Sequence, residues 1–154
     1  DIAAIRSYVG DAEAHIVDNR EMPDICLQHC LALMVLERTA GFHALHDYDR
    51  MQDPAVVRER AKVTLIPDAE LGKALPIRQA IVEVDTADGR TLKHRTDDVR
   101  GTPDNAMTQS EVDAKARELM APILGTTRTD ELIAAIGSLE TVTDLRTLRA
   151  LLKA

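Results

Sequence analysis

The chain has 154 residues, 19 of them basic and 26 acidic, for a net charge of −7. A single domain of this length buries roughly 70% of its unfolded surface without needing disulfides or metals as staples, and an acidic balance without a basic stripe excludes a nucleic-acid partner. No apolar run reaches the roughly 18 residues of a membrane span, and no charged n-region followed by an apolar h-region opens the chain, so no membrane partner is expected either.

Residues 2–9 (IAAIRSYV) predict a strand, and Ala14 to Val17 a second one beyond the Gly10-Asp11 turn. The chain enters this strand directly from Asp1, and it is expected to be a piece of something longer. Pro23 and Asp24 then open a helix, with the Asp side chain as cap, that runs to about Arg38 or Thr39 before Gly41 stops it. This segment is apolar on nearly every side yet carries Gln28 and His29 in its middle. A buried amide and imidazole each cost about 1 to 3 kcal/mol unless partners are supplied. His29 therefore reads in two ways: a core histidine bonded to a backbone carbonyl, or a proton donor or acceptor facing a pocket, with Gln28 or backbone groups orienting the ring.

A short amphipathic segment over residues 42–50 follows, then Asp53-Pro54 opens a helix ending near Arg60, with Asp as cap and Pro at its first position. KVTLIP, from Lys62, predicts a strand. In RQAIVEVDTADGRTLKHRT the alternation of Ala80, Val82 and Val84 with polar neighbours, then Asp88-Gly89, predicts an antiparallel hairpin with its tip at Ala87 to Arg90. Residues 100–108 are rich in turn formers. Thr108 to Glu111 then makes a capping box for a helix that ends at Gly125. Thr129-Asp130 and Asp144 head two further helices. The fold class expected is α+β: a two-layer lid over residues 1–100, with an antiparallel hairpin, then a helical segment over 101–154 whose apolar stripes exceed what a small sheet can cover.

Cys26 and Cys30 lie in the apolar segment, and with His43 and His46 their spacing comes near a two-Cys, two-His zinc finger. A finger carries its cysteines on a hairpin, and these share one helix, so no metal is assigned. They read instead as core thiols of a reducing compartment, with the cytoplasm the expected location. One Phe, two Tyr and no Trp leave the core to aliphatic side chains.

DICLQHCLALMVLERTAGFHALHDYDRMQDPAVVRERAKV, IVEVDTADGRTL, RGTPDNAMTQSEVDAKARELMAPILG and LETVTDLRTLRALL resemble, in one collinear order, segments of the MmgE/PrpD family. The resemblance implies a cofactor-free enzyme acting on a small di- or tricarboxylate as a dehydratase, decarboxylase or epimerase. It further implies that the chain is the C-terminal lid portion, whose helical tail docks on an N-terminal all-helical domain carrying most of the catalytic groups, in a homodimer. One functional position of the family, a Tyr in an F-S-x-x-Y stretch, falls on His29 in I-C-L-Q-H. His29 is thereby the candidate catalytic residue and Gln28 the candidate substrate-binding support. Imidazole and phenol differ by about three to four units in reference pKa, so a His there can act as acid or base near neutrality where a Tyr mainly donates. The alternative is a non-catalytic α+β interaction domain or accessory subunit.

Overall fold

A computed structural model describes residues 1–153. The chain falls into two units, Asp1–Asn105 and one that begins at Ala106.

The first unit is built on a four-stranded sheet in the order β2-β1-β3-β4. β1 (Ile2–Gly10) pairs in parallel with β2 (Val63–Asp68) and antiparallel with β3 (Ala80–Thr86), which pairs antiparallel with β4 (Thr91–Thr96). The hairpin forms where the alternation and Asp88-Gly89 place it. Gly89 takes φ +85°, a conformation that suits a residue without Cβ, and Thr86 N donates to Arg90 O across the turn at 2.9 Å. Period-2 alternation separates the faces. Ile5 and Ser7 are buried, opposite Val84 and Val82. On the other face Arg6 is bonded to Glu83 at 3.1 Å and to both oxygens of Asp85 at 2.5 and 2.9 Å, while Lys93 reaches Glu83 at 2.9 Å. Opposite charges directly across a ladder keep this face polar and paired.

Asp11–Val17 is a helix, α1, rather than the expected strand over Ala14 to Val17. The Asp11 carboxylate accepts from Ala12 N at 2.9 Å, acidic Asp11 and Glu13 occupy the first turn, and Ala14 is buried. A helix buries that one small residue while β-branched neighbours stay outside. Its start lies against the short helix α5 (Ala69–Gly72): a Cβ at Gly10 would stand 3.2 Å from the Gly72 Cα.

Pro23–Ile25 is a separate 3₁₀ turn, and the long helix α2 spans Leu27–Glu37, with Cys26 at its N-cap. Asp24 thus does not cap α2, contrary to expectation. The 3₁₀ turn closes first, with Cys26 N donating to Pro23 O, and extended backbone at Cys26 separates the two pieces. Arg38, at φ +58°, ends α2 before Gly41 is reached. The amphipathic stretch after it is also divided, into α3 (Phe42–Leu45) and a 3₁₀ turn at Asp49–Gln52. The Asp47 carboxylate takes the N-H groups of Asp49 and Arg50 and competes with a continuous helix there. α4 (Pro54–Arg60) is capped by Asp53, which accepts from Ala55 N at 2.8 Å. α2 packs on α4 and β2. Ala32, Leu33 and Val56 form the core of that seam, flanked by Ala44 and Leu45.

In the second unit α6 (Gln109–Leu124) opens with the reciprocal capping box: Thr108 Oγ1 accepts from Glu111 N at 3.3 Å and Glu111 Oε2 from Thr108 N at 2.8 Å. α7 is Thr126–Gly137, so Thr129 and Asp130 lie inside it instead of heading it. Gly125, at φ +77°, ends one helix and leads directly into the next, and Thr129 N already donates to Gly125 O. The two helices pack together, tied by Arg117 and Asp130 at 2.7 Å. Asp144 caps as expected, accepting from Arg146 N at 2.9 Å, but heads a 3₁₀ segment, Leu145–Ala150, in place of an α-helix. Short helices are marginal unless packing supports them, and Leu145 and Leu152 are both more than 60% exposed.

Candidate functional site

α2 forms because Leu27 to Glu37 contains neither Pro nor Gly and is rich in Leu. Its buried residues, Gln28, His29, Ala32 and Leu33, recur at helical spacing on one face. The two polar members differ in how they are satisfied. Gln28 Nε2 donates to Asp18 Oδ1 at 2.5 Å, and Gln28 Oε1 accepts from Asn19 N at 2.9 Å. The amide therefore holds the turn before the 3₁₀ segment, where Asn19 sits at φ +45°.

His29 is 0% exposed, and neither Nδ1 nor Nε2 has a hydrogen-bond partner. Burial is the main cause that lowers its pKa below the ordinary value, and the positive charges of Arg60 and Arg50 add to it. The imidazole is held neutral, with one nitrogen able to accept a proton and the other to donate one. The backbone carbonyl expected of an ordinary core histidine is not supplied. Among the described residues the only other buried side-chain N or O atom without a partner is Thr129 Oγ1, in α7.

The two arginines are held differently. Arg50 bridges Glu37, at the end of α2, and Asp53, the cap of α4. Arg60, the last residue of α4, reaches back to the turn that Gln28 holds, donating to Asn19 Oδ1 at 3.4 Å and to the carbonyl of Arg20 at 3.5 Å. A polar cleft of about 420 Å³ opens at this turn, lined by Asn19, Arg20, Glu21, Met22 and Ile25; neither Arg60 nor His29 is among its lining. Sequence reasoning singled out Gln28 and His29 and did not single out Asn19, Arg20 or Arg60. One signal was available for Arg60: the positions three and four residues to either side are Val57, Val56, Val63 and Thr64, none of which can neutralise it.

A second, apolar cleft of about 400 Å³ lies between the end of β1, α1, α5 and the start of α2, with Val9, Ile16, Leu27, Leu71, Leu75 and Val99 among its lining. Glu13 and Arg78, paired at 3.2 Å, also line it; Gln28 and His29 do not. Cys26 and Cys30 are free thiols, and burial pushes Cys30 up to about 11, so it is unreactive near neutrality. His46 stacks on Phe42 at 4.0 Å.

No helix among the described residues is long and apolar enough to cross a membrane. No curated protein matches the chain. The family model described as MmgE/PrpD C-terminal domain matches residues 1–141, nearly the whole length. With its α+β first unit and helical second unit, the chain belongs to the MmgE/PrpD family and represents its C-terminal portion.

Proposed function

We propose that this chain is the lid portion of a cofactor-free lyase or isomerase acting on a small di- or tricarboxylate. The reaction removes a proton from a carbon next to a carboxylate. The electron pair left behind expels a neighbouring hydroxyl, which takes a proton and departs as water, or takes a proton back on the other face; in a decarboxylase CO2 departs instead, leaving its bonding pair on carbon, and that carbon takes up a proton. His29 is the group of this chain that carries or returns that proton, and Gln28 supports it by fixing the turn beside it. The observation that carries this reading is the state of His29: a fully buried neutral imidazole with two unpaired nitrogens, in a chain of this family. Such a ring costs stability where it stands, and a proton-transfer role accounts for its retention.

The remaining acid, base and carboxylate-binding groups are proposed to come from an N-terminal helical domain, on which the second unit docks within a homodimer. Ile123 and Ile136, 70% and 54% exposed, support that docking. They equally suit a second reading, a non-catalytic interaction domain. The free thiols fit a reducing, cytoplasmic setting.

The test uses the complete enzyme with 2-methylcitrate, citrate and cis-aconitate as substrates. His29→Ala is expected to lower turnover by roughly 10²- to 10⁴-fold with the fold intact. His29→Tyr restores part of the activity or shifts its pH profile. A kcat and a pH profile indifferent to both substitutions would overturn the catalytic role and leave the interaction-domain reading. The isolated chain is expected to be inactive, because it offers one side of the cleft.

A further inference from the structure

In a chain of net charge −7, most cationic side chains of the first unit find a carboxylate. Arg6, Arg50, Lys62, Arg78 and Lys93 are each ion-paired. Arg60 and Arg20 are not: among the described residues no carboxylate pairs with either. Arg60 rests on neutral acceptors, a side-chain amide oxygen and a carbonyl, at 3.4 and 3.5 Å, the long limit of a hydrogen bond. A guanidinium presents five donors in a planar fork shaped for a carboxylate, and two long contacts to neutral oxygens leave most of that capacity unspent.

Its position is set from the interior. Gln28 holds Asn19 through the backbone N-H and also occupies the Asp18 carboxylate, at 2.5 Å. Asp18 is thereby turned to an amide instead of a guanidinium. Glu21, which shares the cleft lining, is exposed and pairs with neither arginine. The orphaned ring of His29 follows Gln28 directly on the buried face of α2, the helix that packs on α4.

We propose that Arg60 and Arg20, presented by the Gln28-held turn at Asn19, form an anion subsite that receives one carboxylate of a small di- or tricarboxylate. The choice of acid rests on the lyase or isomerase reading above; the anion site itself rests on the unpaired arginines. A bound carboxylate replaces the two long contacts of Arg60 with a two-pronged, charge-assisted pair and draws in Arg20. The same chemistry admits inorganic phosphate, which separates a general anion site from one shaped for carbon acids.

The experiment is an NMR titration of the chain with tricarballylate, an unreactive tricarboxylate, at constant ionic strength, reading the arginine Nε-H and histidine ring signals. Saturable shifts at Arg60 and His29 are expected. Arg60→Gln should weaken binding about tenfold or more, Arg20→Gln by less, and Arg60→Lys should recover part of the loss. Arg117→Gln, which breaks a pair in the second unit, should leave it unchanged. Arg20 is exposed, so its variant keeps the test valid even if changing Arg60 disturbs the fold. Absence of saturable shifts, or an affinity in both glutamine variants unchanged from the parent chain, overturns the subsite, and phosphate binding as tightly as tricarballylate overturns its selectivity. In the complete enzyme the two proposals part. Arginine-dependent binding without turnover of any carboxylate retains the subsite and rejects the lyase reading; turnover whose KM ignores Arg60→Gln does the reverse.

Discussion

The outer face of the sheet and the buried face of α2 both carry polar side chains, and they spend them in opposite ways. On the sheet, Arg6, Glu83, Asp85 and Lys93 are partly open to water, which could satisfy them unaided, yet each is bonded to a cross-strand partner. In the α2 seam, where water cannot help, Gln28 is bonded and His29 is left with none. Net stabilisation from solvent-exposed pairs is small, whereas an unmet need in the interior costs more than a bond returns. Stability alone would have placed the partners the other way round. The polar groups that matter for chemistry are thus to be sought where satisfaction is missing, and the dense ladder on the sheet is a structural surface.

This contrast can be broken by substitution. The largest expected loss belongs to the apolar core that holds the seam: Leu33→Ala should cost about 2 to 5 kcal/mol in denaturant unfolding, since Leu33 is fully buried against Val56. A smaller loss would mean that α2 and α4 can close the cavity. Gln28→Ala should cost about 1 to 3 kcal/mol by releasing the Asp18-Asn19 turn. It should also make the Asn19 amide exchange faster with solvent.

His29→Leu should go against this trend and hold or raise the melting temperature, because it removes an unsatisfied ring without removing a bond. Its clearer signature is in pH. The folded pKa of His29 lies below the ordinary 6.5, so below that value the unfolded chain binds a proton that the folded chain refuses. Stability contributed by the neutral ring is complete above 6.5 and is lost as pH falls. The leucine variant should lack this decline, and an unchanged pH dependence would mean that the ring finds a partner in solution. The smallest effect is expected from Asp85→Asn. Arg6, and after it Thr91, holds the Asp85 carboxyl down to about 2, so its contribution is present above 3.8 and is lost between there and about 2. The substitution should remove that part of the acid limb and leave turnover of the complete enzyme untouched.

The features legible in the sequence were those written in local chemistry. The hairpin around Asp88-Gly89, the Asp53-Pro54 helix start and the Thr108 to Glu111 box each need only a few neighbouring residues, and each formed as expected. Where the expectation failed, a tertiary or competing local term prevailed. Burial of Ala14 made a helix of a β-branched stretch, and the 3₁₀ closure at Pro23–Ile25 took the start of α2 from Asp24. The site divides in the same way. Gln28 and His29 stood out because a polar pair interrupts an apolar helix. Arg60 and Asn19 meet across 41 residues of chain, and whether a surface arginine has a counter-ion is decided by partners that no local pattern encodes.

β1 lies between β2 and β3, so the first strand of the unit to be synthesised is among the last to be fully paired. Arg6 must wait for Glu83, 77 residues on, and Ile5 N bonds to Lys62 O only once α4 has turned the chain back. Closing such long loops before their contacts form slows folding, and meanwhile an apolar strand stands with both edges open. The arginine at its middle acts as a gatekeeper in that interval, a charge that discourages pairing with a neighbouring nascent chain. Pulse-labelled hydrogen exchange during refolding should find the β1 amides that face β3 protected only when the hairpin closes, after those of α2, whose bonds are all local.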